Sequence, residues 1–392
     1  MLNKKKSDLE IPVSYCKFIH LCWHQGGFTK ELVKFINDPD NGFTPDEHLF
    51  LFTTDWVYQP ISQYENTYLI ETDTPKSGEL MNACLRKCDW LILHSLCEPI
   101  LELLKVRKRD LKKIVWRTWG HEQTVIKPVQ GQKVRNFVRR VLNKEIVGRI
   151  QAFAAIGIAN YIDELDIRKR FGELKMLRMP YPRHKESCAI LREMHLQRHK
   201  NSTDQQCVTI MVGHSGFKQD SHLEVLNLLE KHRGKPVRLY IPLAYGIPTY
   251  ISEVKQKALE LFGDSVIIQE EMLSFKDYVR ALSEIDVAIL GTRKSNALGN
   301  IGILLLLGKK IIFDRNSIMA EAFRSLEIPH GYIDDIQNMT LEQLGGKIEY
   351  EQDKLEKITS YDVNRYIEDW TQIVEYLENQ SQHRNEQCAQ IK

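Results

Sequence analysis

Apolar residues in this chain come in short unbroken runs, separated by longer stretches with helical spacing. In the second half, the runs Val208–Val212, Val237–Pro242, Val266–Gln269, Asp286–Leu290 and Lys310–Asp314 predict strands. Between them, Ser221–His232, Tyr250–Phe262, Ser274–Ile285 and Gly299–Leu307 predict helices. Strands that are apolar throughout, rather than at alternate positions, are buried on both faces, and regular alternation with helices implies a parallel sheet. Right-handed crossovers then make this half Rossmann-like.

The first half repeats the pattern less sharply. Cys16–Cys22, His48–Thr53, Tyr68–Glu71, Asp89–His94, Lys113–Trp119 and Phe153–Ile158 predict strands. Thr29–Ile36, Gly78–Cys88, Pro99–Leu104 and Gln132–Leu142 predict helices. The stretch Met179–Ser202, rich in Pro, Arg, His and Ser with a helix-like insert, is the expected linker. The expected domains are therefore 1–200 and 201–360, followed by a helix in 361–392 that crosses back to the first domain and ends in a frayed polar tail.

The length of 392 residues suits two cores better than one. With 43% hydrophobic and 27% charged residues, the composition is that of a soluble globular protein. No run approaches the ~20 apolar residues of a membrane span, and no signal-peptide core follows the basic start, so a cytoplasmic location is expected. Eight cysteines without a CxxC pair read as reduced thiols, and Cys84 with Cys88 lacks the partners of a zinc set. Formal net charge is only +2, yet residues 105–149 hold fourteen Lys or Arg against three acids. So concentrated a positive charge points to an anionic partner. Within it, Val134, Phe137, Val138 and Val141 share a helix face flanked by Lys133, Arg135, Arg139 and Arg140. That pattern fits either core packing or an anionic membrane surface. No nucleic-acid-binding motif accompanies it.

Neither GxGxxG nor GxxxxGK[ST] follows any predicted strand, which argues against dinucleotide and P-loop enzymes. Two Rossmann-like halves without either motif point to the GT-B glycosyltransferase fold, an α/β architecture of two Rossmann-like domains facing each other across a cleft. Sites in open α/β sheets lie at the carboxyl ends of strands. There the chain carries Gly213-His214-Ser215-Gly216, whose glycines admit a close ligand or simply turn a corner. The next ends carry Tyr245, placed to stack on a sugar or base or to cover the sheet, and Glu271, a hydrogen-bond acceptor or a solvated turn. Arg293 and Lys294 precede Gly299-Asn300 at the start of an apolar helix, where basic side chains and free helix amides suit a diphosphate. In the first half, His94 and the run Trp116–Glu122 end strands, and Glu122 and His94 are the candidate acid–base residues. His20, His24, Gly26 and Gly27 mark the first strand's end.

These segments resemble the bacterial TDP-N-acetylfucosamine:lipid II N-acetylfucosaminyltransferases of glycosyltransferase family 56. The resemblance rests on VTIMVGHSG, on PLAYG with Tyr245, on EEMLSFKDY with Glu271, on Lys294 and Gly299 before the apolar helix, on His94, and on Trp116, Trp119 and Gly120. The chain departs from the family where His121-Glu122 replaces Ala-Asp and where His214 replaces Asn. The resemblance implies transfer of a deoxy or acetamido sugar from a nucleoside-diphosphate donor, TDP-linked, to a polyprenyl-diphosphate-linked glycan in surface polysaccharide synthesis. It implies a protein peripheral to the inner membrane face, with no bound cofactor and no metal. The alternatives are a GT-B sugar-nucleotide epimerase or hydrolase using the same donor site, and a non-catalytic sugar-nucleotide-binding partner.

Overall fold

The structure, a computed structural model, describes residues 13–22, 27–53, 55–70, 77–96, 100–119, 133–197, 207–346 and 348–390. It divides into two compact units. Unit 1 comprises the described residues up to Ala159, Ile167–His184, and the helix Val363–Gln390. Unit 2 comprises Asn160–Asp166 and Lys185–Asp362.

Unit 1 is built on a seven-stranded sheet. Its strands are β1 (Cys16–Cys22), β2 (His48–Phe52), β3 (Thr67–Leu69), β4 (Cys88–His94), β5 (Ile114–Arg117), β6 (Ala155–Ile158) and β7 (Met176–Arg178). All neighbours are parallel, in the order β3-β2-β1-β4-β5-β6-β7. Burial on both faces explains why these strands lack alternation. On one face Ile19, Leu21, Leu49, Leu51, Leu91, Leu93 and Trp116 join the main core. The other face carries Phe18, His20, Phe50 and Trp90, and the indole of Trp370 on the C-terminal helix lies 6.3 Å from His20. That helix is fastened by Trp370 Nε1 donating to the Pro180 carbonyl at 2.9 Å and by an Arg178–Asp369 ion pair at 2.9 Å. Where a frayed polar tail was expected, the helix continues to Gln390. Within that polar stretch the Arg384 guanidinium stacks 3.9 Å from the buried Trp90 ring, which gives the last turns a tertiary anchor.

Unit 2 has six parallel strands: β8 (Val208–Val212), β9 (Val237–Pro242), β10 (Val266–Gln269), β11 (Val287–Leu290), β12 (Lys310–Phe313) and β13 (Gly331–Tyr332). Their order is β10-β9-β8-β11-β12-β13. The helix Leu298–Leu306 is apolar because it is core, with Ile301, Leu304 and Leu305 at most 1% exposed. The insert in the expected linker is a full helix, Lys185–Gln197. It buries Leu191 and ties His195 Nδ1 to the Leu306 carbonyl at 2.7 Å.

Strands β7 and β13 were not legible in the sequence, nor was the helix Tyr161–Phe171. The two strands are only three and two residues long and lie at sheet edges, too short for a hydrophobic run. The helix is YIDELDIRKRF, whose charges are spread around its circumference.

In each sheet the strand order reverses once, between β1 and β4 in unit 1 and between β8 and β11 in unit 2. Connections leave in opposite directions at such a point, so a crevice opens at the carboxyl ends of the two strands. Three of the four non-glycine residues with positive φ among the described residues follow these strands: Ser95 (79°), Ser221 (53°) and Ala297 (60°). Beside β8, the loops after β8 and β9 touch through a Gly216–Gly246 bridge. Gly246 has φ of 143°, and a Cβ there would lie 2.4 Å from the Gly216 carbonyl. Because that obstacle is backbone, Gly246→Ala is expected to destabilise unit 2 by about 2–3 kcal/mol. Its unfolding midpoint would fall by roughly 5–10 °C. A thermal midpoint unchanged within ~1 °C would refute the close packing of these two loops.

Candidate active site

In unit 2 the switch point brings the loops after β8 and β11 together. A Cβ on Gly291 would strike the Asp220 carbonyl at 2.5 Å, so the first residue after β11 sits directly against the β8 loop. Every amide of the GHSG loop is already engaged. Gly213 N–H donates to the Ile289 carbonyl at 2.9 Å, and Gly216 N–H to the Tyr245 carbonyl at 2.7 Å. His214 and Ser215 N–H both donate to Asp220 Oδ2, at 3.2 and 3.0 Å, and Ser215 Oγ adds a third bond at 2.8 Å. The ring of His214 completes the set, with Nδ1 2.9 Å from Asp220 Oδ1. The four amides expected to cradle a donor phosphate are thus bonded within the fold, two of them to the Asp220 carboxylate. Burial alone would raise the Asp220 pKa, but the bonds and charge of His214, then His222 and Ser215, hold it below the ordinary carboxylate value. Gly213 is needed for packing as well, since its φ is 70° and a Cβ would meet His222 Nε2 at 2.2 Å. Asp220 and His222 were missed from the sequence because they look like ordinary loop and helix-start residues.

The other arm of the switch point is different. The helix Leu298–Leu306 has no side chain capping its first turn, and Ala297 before it is held in the left-handed region. Gly299 is exposed, with nothing within 4 Å of the place a Cβ would occupy. Asn300 bonds to Tyr278. Arg293 is exposed but committed, its Nε bonded to Asp314 Oδ2 at 2.8 Å. Lys294 is exposed and makes no ion pair among the described residues. An uncapped helix start beside an uncommitted ammonium is an arrangement that favours an anion. Tyr245 is 49% exposed, with Phe217 edge-on at 6.2 Å, and Ile247 and Met272 are also exposed along these loops. Glu271 is exposed on the loop after β10.

In unit 1 the switch point is occupied by histidine. His20 in β1, His48 at the start of β2 and His94 at the end of β4 form a buried row. His48 Nδ1 lies 3.0 Å from His20 Nε2, and His20 Nδ1 lies 3.0 Å from His94 Nε2. His94 Nδ1 lies 2.8 Å from the Tyr181 hydroxyl. Burial, aided by Arg117, pushes His94 down to about 3. Burial with Lys17 does the same for His48, and burial with its two neighbours drives His20 well below the usual value. His94, expected as an acid–base residue, has no exposed surface in this structure and reaches outward only through its contact with the Tyr181 hydroxyl. Trp116 is fully buried core, whereas Trp119 is half-buried and packs edge-on to Tyr181 at 5.5 Å and to the exposed Phe28 at 5.4 Å. His24, Gly26, Gly120, His121 and Glu122 lie outside the described residues. Among the described residues, no group of three or more His, Cys, Asp or Glu side chains is placed to hold a metal.

Two parallel sheets, each with its polar groups gathered where its strand order reverses, define a glycosyltransferase of the GT-B class. A glycosyltransferase from Rickettsia africae superposes with a TM-score of 0.59 at 10% identity, covering 93% of this chain and 99% of that one. Anabaena HepE, solved with UDP and glucose, gives 0.56 at 12% identity, covering 93% and 100%. A UDP-forming α,α-trehalose-phosphate synthase from Burkholderia xenovorans gives 0.53 at 10%, covering 93% and 99%. The family model described as 4-alpha-L-fucosyltransferase, glycosyl transferase group 56, matches residues 67–379. The chain belongs to that family, and it is a hexosyltransferase.

The buried rings have a measurable consequence. His48 and His94 titrate near 3 and His222 near 4 in the folded protein, against about 6.5 when unfolded. Their pKa values are depressed, so the unfolded chain binds more protons in this window. The stability they contribute is fully present above pH 6.5 and is lost as pH falls through the folded values. Because carboxylates titrate lower, melting between pH 7 and 5 isolates the histidines. The unfolding temperature is expected to drop over that range, with net proton uptake on unfolding at pH 5. A flat profile from pH 7 to 5 would refute the neutral row.

Proposed function

We propose that this enzyme transfers a deoxy or acetamido sugar from a nucleoside-diphosphate donor, TDP-linked, to a polyprenyl-diphosphate-linked glycan of a bacterial surface polysaccharide. The donor binds unit 2 and the acceptor unit 1. One observation carries the donor side: exposed Lys294, uncommitted to any ion pair among the described residues, stands beside the uncapped start of Leu298–Leu306. Negative charge grows on the diphosphate as the sugar leaves, and an ammonium with helix amides stabilises it without a bound ion. HepE, a protein of the same fold, holds UDP and glucose, which supports a nucleotide-sugar donor here. Tyr245 offers a face for the base or sugar, with Glu271 on the neighbouring loop. Glu122 is the base candidate on the acceptor side.

The basic helix Lys133–Ile150 supports a lipid-linked acceptor. Phe137, Val138 and Val141 are 64%, 49% and 55% exposed, with Arg140 exposed beside them, so this stripe is not core. Apolar side chains flanked by basic ones fit an anionic inner-leaflet surface, and the side chains of Lys133, Arg135 and Arg139, expected there from the sequence, lie outside the described ones. No described helix is long and apolar enough to cross a membrane.

Lys294→Ala is expected to lower turnover about a hundredfold, with an unchanged circular dichroism spectrum. Full turnover in that variant would overturn the donor assignment. In a thermal-shift panel, TDP ligands are expected to raise the melting temperature more than UDP, GDP or CMP ligands. A larger shift with another nucleotide would replace TDP in this reading. Vesicles containing anionic lipid should co-sediment the protein at low salt and release it as salt rises, and Phe137→Ser should weaken the binding. Failure to bind at low salt removes the membrane component.

A further inference from the structure

The histidine row has an inner and an outer end. Its inner end is His48, close to Lys17. Its outer end is the hydroxyl of Tyr181, a half-buried residue packed against Trp119 and the exposed Phe28 at the carboxyl edge of the unit 1 sheet. Arg117 lies under the same residue, its guanidinium 4.6 Å from the Tyr181 ring. Arg117 is 4% exposed and forms no ion pair among the described residues, and its Nε has no hydrogen-bond partner among them. Ser95, directly after His94, is buried with φ of 79°. A buried cation whose Nη1 donates to the Thr118 carbonyl but which has no ion pair among the described residues, a strained backbone and a half-open aromatic cluster thus meet at one hydroxyl.

Each ring of the row is neutral and carries one proton, because burial holds all three well below the ordinary histidine value. The row therefore does not store a proton. It has two polarities, each running from end to end. In one, His94 Nδ1–H donates to Tyr181, whose hydroxyl then donates outward. In the other, the Tyr181 hydroxyl donates inward to His94 Nδ1, His94 Nε2–H donates to His20 Nδ1, and His20 Nε2–H donates to His48 Nδ1. The inward polarity places the negative end of the row at Tyr181 and the positive end at His48. Arg117 favours it and Lys17 opposes it. Lys17 is neutralised by ion pairs with Glu47, at 3.1 Å, and with Glu378, whereas Arg117 has no such partner among the described residues. The unbalanced charge decides for the inward polarity.

We propose that Tyr181 accepts a hydrogen bond from a hydroxyl of the acceptor sugar other than the attacking one and so positions the acceptor, and that His94, His20 and His48 are positioning residues holding Tyr181 in that polarity. This rests on the transferase reading above. Tyr181 takes no proton in this role, so the proton of the attacking hydroxyl goes to the base of that reading, Glu122. Half-exposed Trp119 and Phe28 provide the apolar faces against which a sugar ring packs.

The test uses the full chain labelled with ¹⁵N-histidine. A long-range ¹H–¹⁵N spectrum should show His94 protonated at Nε2 and bare at Nδ1, and a proton on His94 Nδ1 would overturn the polarity. Tyr181→Phe, which keeps the ring, should lower kcat/KM for the acceptor about tenfold or more while leaving donor affinity unchanged. Acceptor kinetics within twofold of wild type would overturn the contact. If wild-type enzyme fails to transfer to any lipid-linked acceptor, the functional reading fails, and the tautomer spectrum still decides the row by itself.

Discussion

Both halves of this chain depend on one constraint: a parallel sheet is buried on both faces, so its polar groups must either gather at strand ends or, like His20 and His48, be bonded to one another across a face. Every strand of the two sheets runs parallel to its neighbours. The faces are filled by aliphatic and aromatic side chains. What remains for chemistry is the carboxyl edge, and on that edge the reversal of strand order. Ser95, Ser221 and Ala297 mark both reversals with backbone strain that packing elsewhere must offset.

The two reversals use buried polar chemistry in opposite ways. In unit 2, Asp220 keeps its charge within the fold because three donors and a histidine surround it. It bonds the β8 loop to itself, while on the β11 side Lys294 makes no ion pair among the described residues and the helix start is uncapped. In unit 1 the row of histidines keeps no charge at all, because burial makes a second proton too costly. One site relies on a satisfied carboxylate and the other on neutral rings, and both depend on excluding water.

Much of this was legible in the chain. The unbroken apolar runs identified eleven of the thirteen strands among the described residues, and the absence of dinucleotide and P-loop motifs narrowed the class. The segment after β11 stood out because basic residues and a glycine preceded an apolar helix. Other residues were hidden. Tyr181 lies in MPYPRH, which reads only as linker, and Asp220 lies in a polar loop. His48 was visible only as the first residue of a strand.

The sequence by itself determined the alternation of strand and helix, the concentration of positive charge in residues 105–149, and the candidates at strand ends, because each is a local pattern of residue types. Tertiary structure alone decided which candidates are open. It placed the Asp220 carboxylate on the amides of GHSG, sank His94 beneath Tyr181 and exposed Phe137 and its neighbours. Those outcomes depend on residues far apart in the chain, such as His20, His94 and Tyr181, meeting across parallel strands. No local pattern encodes which donor will reach which acceptor first.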